Sequence, residues 1–244
     1  MVSKLGTVYR YFVGQDALTL RTIIGSTYIK GNGIEIGALD KPMPLPENAK
    51  AQYVDRFDRE GLIRQYPSLR KVKLTKVDIV EDGQQLKSIA EGSQDFVIAN
   101  HFLEHCEDPI GTIKNMIRVL RVGGTLFLTI PDKRFTFDQF RKSTDFEHLL
   151  NDYKNGPSNS REGHFLDFVT GINRDLNSEE AIIEAQKLNA FDYSIHFHVW
   201  TVHDLAELVH QSKLKLKMDI DLELLMRNGE ENILILKKVS TKLD

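Results

Sequence analysis

The sequence contains a single cysteine, and it has no hydrophobic run long enough to cross a membrane. With Cys106 alone, no intramolecular disulfide can form, which favours a reducing compartment. The first residues also lack the basic and apolar regions of a secretion signal. We therefore expect a cytoplasmic protein that does not bind membranes.

Positive charge is not in excess either. The net charge is −3 and the pI is about 6.3, whereas domains that bind nucleic acids are usually strongly basic. The densest basic cluster lies between Arg70 and Lys76, where we expect a solvated surface. We therefore expect no nucleic-acid partner. The 244 residues are enough for one large α/β core with an insertion.

Apolar runs alternate with helical stripes along the chain, as is typical of a parallel α/β sheet. Five strands are predicted in the first part of the chain, at Gly33–Ile36, Ala51–Val54, Lys76–Val80, Asp95–Ala99 and Thr125–Ile130. Two more, at Leu214–Leu222 and Asn232–Lys238, flank the turn residues Asn228 and Gly229. A turn this short predicts an antiparallel last strand, because a parallel return needs a dozen or more residues.

The pattern divides the chain into three regions. Residues 1–30 are predicted to form a helical cap, since Val8, Tyr11 and Phe12 begin an apolar stripe. Residues 31–132 and 200–240 form the predicted core. Residues 133–199 are predicted to form an inserted lid over the carboxyl ends of the strands, where open α/β sheets bind ligands.

The segment from Gly33 to Asp40 is the most informative part of the chain. An apolar strand carries Glu35 and turns at Gly37, and a second strand ends at Asp55 twenty residues after Glu35. A glycine turn lets backbone N–H groups approach a ligand, and an acid at the next strand tip can bind both ribose hydroxyls. The segment therefore predicts a cofactor that contains adenosine.

The motif order resembles that of class I S-adenosylmethionine-dependent methyltransferases. The likeness runs from Glu35-Ile36-Gly37-Ala38 through Asp55, Asp82-Gly83 and Asn100-His101 to Arg118–Gly124 with its following strand. It implies a Rossmann-like sheet of seven strands in the order 3-2-1-4-5-7-6, with strand 7 antiparallel and helices on both faces. It also implies S-adenosyl-L-methionine as cofactor, bound by Glu35, Gly37, Ala38, Asp55, Asp82, Gly83 and Asn100. Leu39 departs from the family pattern, which implies a wider loop.

The insertion resembles that of a bacterial methyltransferase branch whose genes often lie beside glycosyltransferase or natural-product genes. This likeness rests on the run from Pro131 to Asp138, followed by Arg141, Thr144, His148 and Asp152. It implies a small-molecule acceptor such as a sugar or a secondary metabolite. The residues predicted to contact that acceptor are Arg134, Phe135 and His148.

Methyl transfer to a hydroxyl requires an aligned nucleophile and a group that removes its proton, for which neutral histidine is well suited. The candidate bases are His198, His196, His164 and His101. In an extended segment, His196 and His198 would point to the same side. We therefore predict O-methylation of a small molecule, with a lid histidine as general base.

Other interpretations of the histidines stay open at this point. His196 and His198 could simply brace the lid, and His105 is expected to be held by local hydrogen bonds. A metal bound by His196, His198 and Asp192 has no diagnostic ligand spacing, so no metal is predicted. The alternative functions are N-methylation of a small molecule, an adenosine-cofactor oxidoreductase, and a methyltransferase-like subunit without activity.

Overall fold

The structure is a computed structural model that describes residues 17–240. Val8, Tyr11 and Phe12, which carry the first part of the predicted cap, lie outside the described residues. The described part of the cap contains helix α1, Ala17–Tyr28. In the described part of the chain, no helix is both long enough and apolar enough to cross a membrane.

Seven strands form one sheet within residues 17–240. In chain order they are β1 Gly31–Ile36, β2 Ala49–Asp55, β3 Ile79–Val80, β4 Gln94–Asn100, β5 Leu120–Pro131, β6 Ile220–Asn228 and β7 Glu231–Lys238. The spatial order is β3-β2-β1-β4-β5-β7-β6, and β7 runs antiparallel to both β5 and β6. The predicted sheet order and strand direction are confirmed.

Six further helices follow α1. They are α2 Arg59–Gln65, α3 Pro109–Val119, α4 Phe146–Asn155, α5 Arg161–Ile172, α6 Ser178–Ala190 and α7 Val202–Leu216. Helix α3 begins where the Asp108 side chain accepts from the Gly111 N–H, and α7 begins with a capping box of Thr201 and Asp204. Helices α4, α5 and α6 belong to the insertion between β5 and α7.

Two predicted strands begin later in the structure than predicted, whereas the other five begin earlier. The strand predicted from Lys76 shortens to β3, because the Asp78 carboxylate accepts the Tyr53 N–H that a longer β3 would use. The strand predicted from Leu214 begins at Ile220, because the buried face of α7 continues through Ser212. The helix ends at Leu216, and the residue that caps it, Lys217, has a left-handed backbone with a φ of +53°.

The sheet is buried on both faces, as a parallel α/β sheet requires. Phe96 to Ala99 in β4 have no exposed surface. Residues of α3, α4 and α7 contribute to the apolar core on one face, and α1 packs on the other. Residues 37–48 connect β1 to β2 without a helix. Met43 of this loop packs into the apolar core on the face of the sheet that α1 covers. The insertion has an apolar core of its own, built around Phe165 and Phe197.

Candidate functional site

A cavity of about 330 Å³ opens at the carboxyl ends of β1, β2 and β4. The residues that line it include Gly37, Leu39, Asp55, Asp82, Gly83 and His101. Parallel strands end at one edge of a sheet, which is why residues far apart in sequence meet here. The insertion reaches the same cavity through Ser194.

Unusual backbone conformations cluster around this cavity. Gly37, Leu39 and His101 have φ values of +68°, +48° and +50°. A left-handed backbone is cheap for glycine but costs free energy at leucine and histidine, and such strain is found most often at binding sites. Gly83 is required for a different reason, since a Cβ there would lie 2.4 Å from Ile36 Cγ2.

Two predicted cofactor carboxylates face the cavity. Asp55 Oδ1 accepts from the Arg56 N–H at 2.8 Å, and burial raises the pKa of Asp55. Asp82 Oδ1 accepts from the Gln84 N–H at 2.9 Å. Its Oδ2 accepts from Gln85 Nε2 at 2.8 Å. Both carboxylates are thus held by hydrogen bonds from their own loops, and both line the cavity.

Glu35 does not line the cavity. Its two carboxylate oxygens lie 2.9 and 3.1 Å from the Met43 N–H, which they accept. Burial raises the pKa of Glu35 to about 7, and the Met43 N–H offsets this only in part. Glu35 therefore holds the backbone of the loop after β1 through Met43 and does not contact the cavity. Ala38 is also outside the cavity lining, as is Asn100, whose Oδ1 accepts from Thr129 Oγ1 at 3.0 Å.

His101 faces the cavity and pairs with a carboxylate from a distant strand. Its Nε2 donates to Glu231 Oε2 at 2.6 Å, and Glu231 also accepts from Arg21 and from Asn228 Nδ2. Burial alone would raise the pKa of Glu231, but the hydrogen bonds from His101 and Arg21 outweigh it and lower the pKa to about 2. Glu231 is therefore ionised and holds the imidazole in one tautomer.

Further imidazoles and acids lie beside His101. His105 lines the cavity, and its Nδ1–H donates to the Ile195 carbonyl at 2.8 Å. Burial lowers the pKa of His105. His196 packs edge to face on the His105 ring, and its Nδ1 lies 2.6 Å from Asp138 Oδ2. The carboxylate oxygens of Glu104 are buried in this region without a hydrogen-bond partner.

The remaining predicted site residues lie outside the cavity lining. His148, His164 and His198 are grouped with one another within the insertion. Arg134 forms a paired hydrogen bond to the buried Asp132 carboxylate, at 2.9 and 2.6 Å, and Phe135 is 45% exposed. The acceptor contacts expected of Arg134, Phe135 and His148 stay predictions.

The family comparison agrees with this architecture. Residues 60–128, from α2 into β5, match the family model of a methyltransferase domain. They include Asp82, Gly83 and His101 of the cavity lining, whereas Gly37 and Asp55 lie before the matched region. This part of the chain is a methyltransferase domain, and the sheet has the strand order of class I S-adenosylmethionine-dependent methyltransferases. It has no match among curated proteins.

Solved structures are similar to this chain at low sequence identity. A Rhodobacter sphaeroides protein, named provisionally as a zinc-dependent alcohol dehydrogenase, is 12% identical with a TM-score of 0.54, over 94% of both chains. A chain of the complex between the Haloferax volcanii Trm112 methyltransferase activator and a provisionally assigned methyltransferase is 9% identical. Its TM-score is 0.50, over 96% of this chain and 93% of that one. An Aquifex aeolicus SAM-dependent methyltransferase is 10% identical, with a TM-score of 0.47 over 98% and 97%.

The cavity fits S-adenosyl-L-methionine, the cofactor of the methyltransferase. Gly37 and Gly83 bring bare backbone to its wall, and no side chain has room at Gly83. The Asp55 carboxylate would accept hydrogen bonds from the ribose hydroxyls. Leu39 and Phe102 give the cavity apolar walls. The wide loop implied by Leu39 is present as residues 37–48.

Sequence reasoning missed three residues of this site, namely Glu231, Arg21 and Asp138. A signal existed for Glu231, because an antiparallel β7 must begin at the edge where the parallel strands end. The other two depend on how α1 and the insertion pack, which no local pattern specifies. His105 was expected to form local hydrogen bonds, and it instead contacts Ile195 of the insertion.

Proposed function

We propose that the methyltransferase methylates a hydroxyl group of a small molecule bound beside His101. S-adenosyl-L-methionine supplies a methyl group already activated on a sulfonium. The chain must then align the acceptor oxygen and take up its proton. The observation that carries the proposal is His101, which faces the cavity and is fixed by an ionised glutamate.

His101 has the geometry of a general base. Because its Nε2–H donates to Glu231, the lone pair of the neutral ring lies on Nδ1. Glu231 is itself held by Arg21, so the ring has a fixed orientation. A buried carboxylate plays the same part behind the catalytic histidine of serine proteases, where it fixes the tautomer and stabilises the imidazolium. The proton of the acceptor hydroxyl would go to His101 Nδ1.

A lid histidine is the second candidate base. Asp138 fixes Nδ1 of His196 at 2.6 Å, which leaves Nε2 with the lone pair of the neutral ring. The His196 ring also touches His105, which lines the cavity. His164 and His198 are less suited to this role, because both are buried and lie outside the lining.

Transfer of a labelled methyl group tests the proposal. The protein is incubated with labelled S-adenosyl-L-methionine and fractionated extract, and the labelled products are identified by mass spectrometry and NMR. We expect a small molecule that carries the label on oxygen. His101→Ala should abolish most of the label while still binding S-adenosylhomocysteine. A labelled amine would contradict the hydroxyl acceptor, and label only in protein or nucleic acid would contradict a small molecule.

A further inference from the structure

Four polar side chains form a buried cluster within the insertion. His148 and Asp152 lie one turn apart on α4, His164 lies on α5, and His198 lies in the segment before α7. Asp152, His164 and His198 are at least 93% buried. We refer to these four residues as the buried cluster. Nothing in the proposed methyl transfer uses it.

Three donor atoms of the buried cluster form a small triangle. The Nε2 atoms of His148 and His164 lie 3.1 Å apart. Asp152 Oδ2 lies 3.2 Å from the first and 3.7 Å from the second. A tetrahedral zinc site with bonds of about 2.0–2.1 Å has ligand atoms about 3.3 Å apart. The triangle has the dimensions of one face of such a site.

His198 supplies a fourth donor. Its Nε2–H donates to the Glu107 carbonyl at 3.3 Å, so the lone pair of the neutral ring lies on Nδ1. Nδ1 is buried without a hydrogen-bond partner, and so is Asp152 Oδ2. A ring nitrogen of His198 lies within 4.8 Å of those of His148 and His164. Unpaired buried polar atoms are rare in native proteins, and a cation would satisfy both of these.

The surroundings of the buried cluster are those of metal ligands. Asp152 Oδ1 accepts from Ser160 Oγ at 2.7 Å, and Glu107 fixes the tautomer of His198. Such partners orient carboxylate and imidazole ligands in metal sites.

We propose that His148, Asp152, His164 and His198 bind one zinc ion as a structural site. Three imidazoles and a carboxylate suit zinc, and a closed set of four protein ligands is typical of a structural rather than a catalytic role. The ion would join α4 and α5 to the segment before α7 and so hold three parts of the insertion together. The proposed base His101 is not part of this site.

Metal content tests the site directly. The full chain is purified without metal-affinity resin, incubated with zinc sulfate and passed through gel filtration, and its zinc is then measured by mass spectrometry. We expect one zinc per chain for the unmodified protein and for the control His210→Ala, whose histidine is exposed on α7. His164→Ala should retain less than a tenth of that zinc. An unmodified protein without zinc, or equal zinc in His164→Ala, would overturn the proposal.

Two further variants keep the test decisive. His148→Ala removes a ligand whose side chain is 37% exposed, so it should fold even where His164→Ala does not, as circular dichroism will show. It should also lose the visible absorption of tetrahedral cobalt after Co²⁺ replaces zinc. His196→Ala probes the rival group of Glu104, His105 and His196. Zinc lost from His196→Ala but kept in His148→Ala would overturn the assignment.

Discussion

Glu35 and Glu231 are two glutamates at the same edge of the sheet with opposite ionisation. Both are at least 98% buried. The pKa of Glu35 is raised to about 7, whereas that of Glu231 is lowered to about 2. Burial penalises the charge of each, but only Glu231 has cationic and imidazole partners that more than offset the penalty.

The two glutamates therefore differ in what they hold in place. At the end of β1, Glu35 accepts a hydrogen bond from the backbone of a loop, and this contact does not require an ionised carboxylate. At the start of β7, Glu231 keeps its charge and faces an imidazole that lines the cavity. Perturbed carboxylates mark candidate reactive sites, and here only the second one touches a group that can take up a proton.

Removing His101 should have the largest effect on the reaction. General bases contribute about 10²–10⁴-fold to turnover, so we expect His101→Ala to lower kcat by that factor. Steady-state kinetics with the acceptor found by label transfer will measure it. The affinity for S-adenosylhomocysteine should stay unchanged, as should kcat in the control His210→Ala. Normal turnover in His101→Ala with a large loss in His196→Ala would assign the base to the lid.

Glu231→Gln should weaken the fold at neutral pH. Because the folded pKa of about 2 lies below the ordinary 4.5, the ionised carboxylate stabilises the fold above pH 4.5, and this contribution is lost as the pH falls towards 2. We expect the free energy of unfolding to drop by about 3 kcal/mol at pH 7, with a smaller drop below pH 4.5. Urea unfolding at several pH values measures it, and a loss independent of pH would contradict the ionised state.

Glu35→Gln should show the opposite dependence on pH. Its folded pKa of about 7 lies above 4.5, so the favourable protonated form is fully present below pH 4.5 and is lost as the pH rises through 7. Glutamine retains an acceptor for the Met43 N–H. We compare the free energy of unfolding of the variant with that of the unmodified protein. The difference should shift in favour of the variant by about 3 kcal/mol between pH 4 and pH 8. If the free energy of unfolding of both variants, relative to the unmodified protein, changed with pH in the same direction, the opposite ionisation of the two glutamates would be contradicted.

The sheet was predictable from sequence because its strands are short apolar runs bounded by turn residues. The positions of Asp55 and Asp82 in the cavity lining were predictable for the same reason, since each follows a strand along the chain. The contact between His101 and Glu231 was not, because it joins residues 130 apart and depends on Arg21 from α1. The contact of Glu35 was not predictable either, because the fold of residues 37–48 decides that its carboxylate meets the Met43 N–H.

The histidines were also not separable by sequence. His196 and His198 alternate in one short segment, yet the first contacts Asp138 and the second belongs to the buried cluster. Which partner each ring meets is decided by the packing of α4 and α5. Ligands separated by whole helices leave no local spacing to recognise.

Asp55→Ala should have the smallest of the four effects, and it tests the cofactor end of the cavity. Losing hydrogen bonds to a charged group costs about 2–3 kcal/mol, so the affinity for S-adenosylhomocysteine should weaken by that amount. Calorimetry measures it, with Asp175→Ala as a control that removes the same charge from an exposed site. Equal weakening in both variants would indicate a long-range charge effect rather than a ribose contact.

Calorimetric titration of the unmodified protein with S-adenosylhomocysteine measures whether the cavity binds the cofactor. We expect saturable binding of one molecule per chain, and Gly83→Ala should weaken it because a Cβ would collide with Ile36. Absence of binding at millimolar concentration, in protein shown to be folded, would contradict the assignment of this cavity to the cofactor.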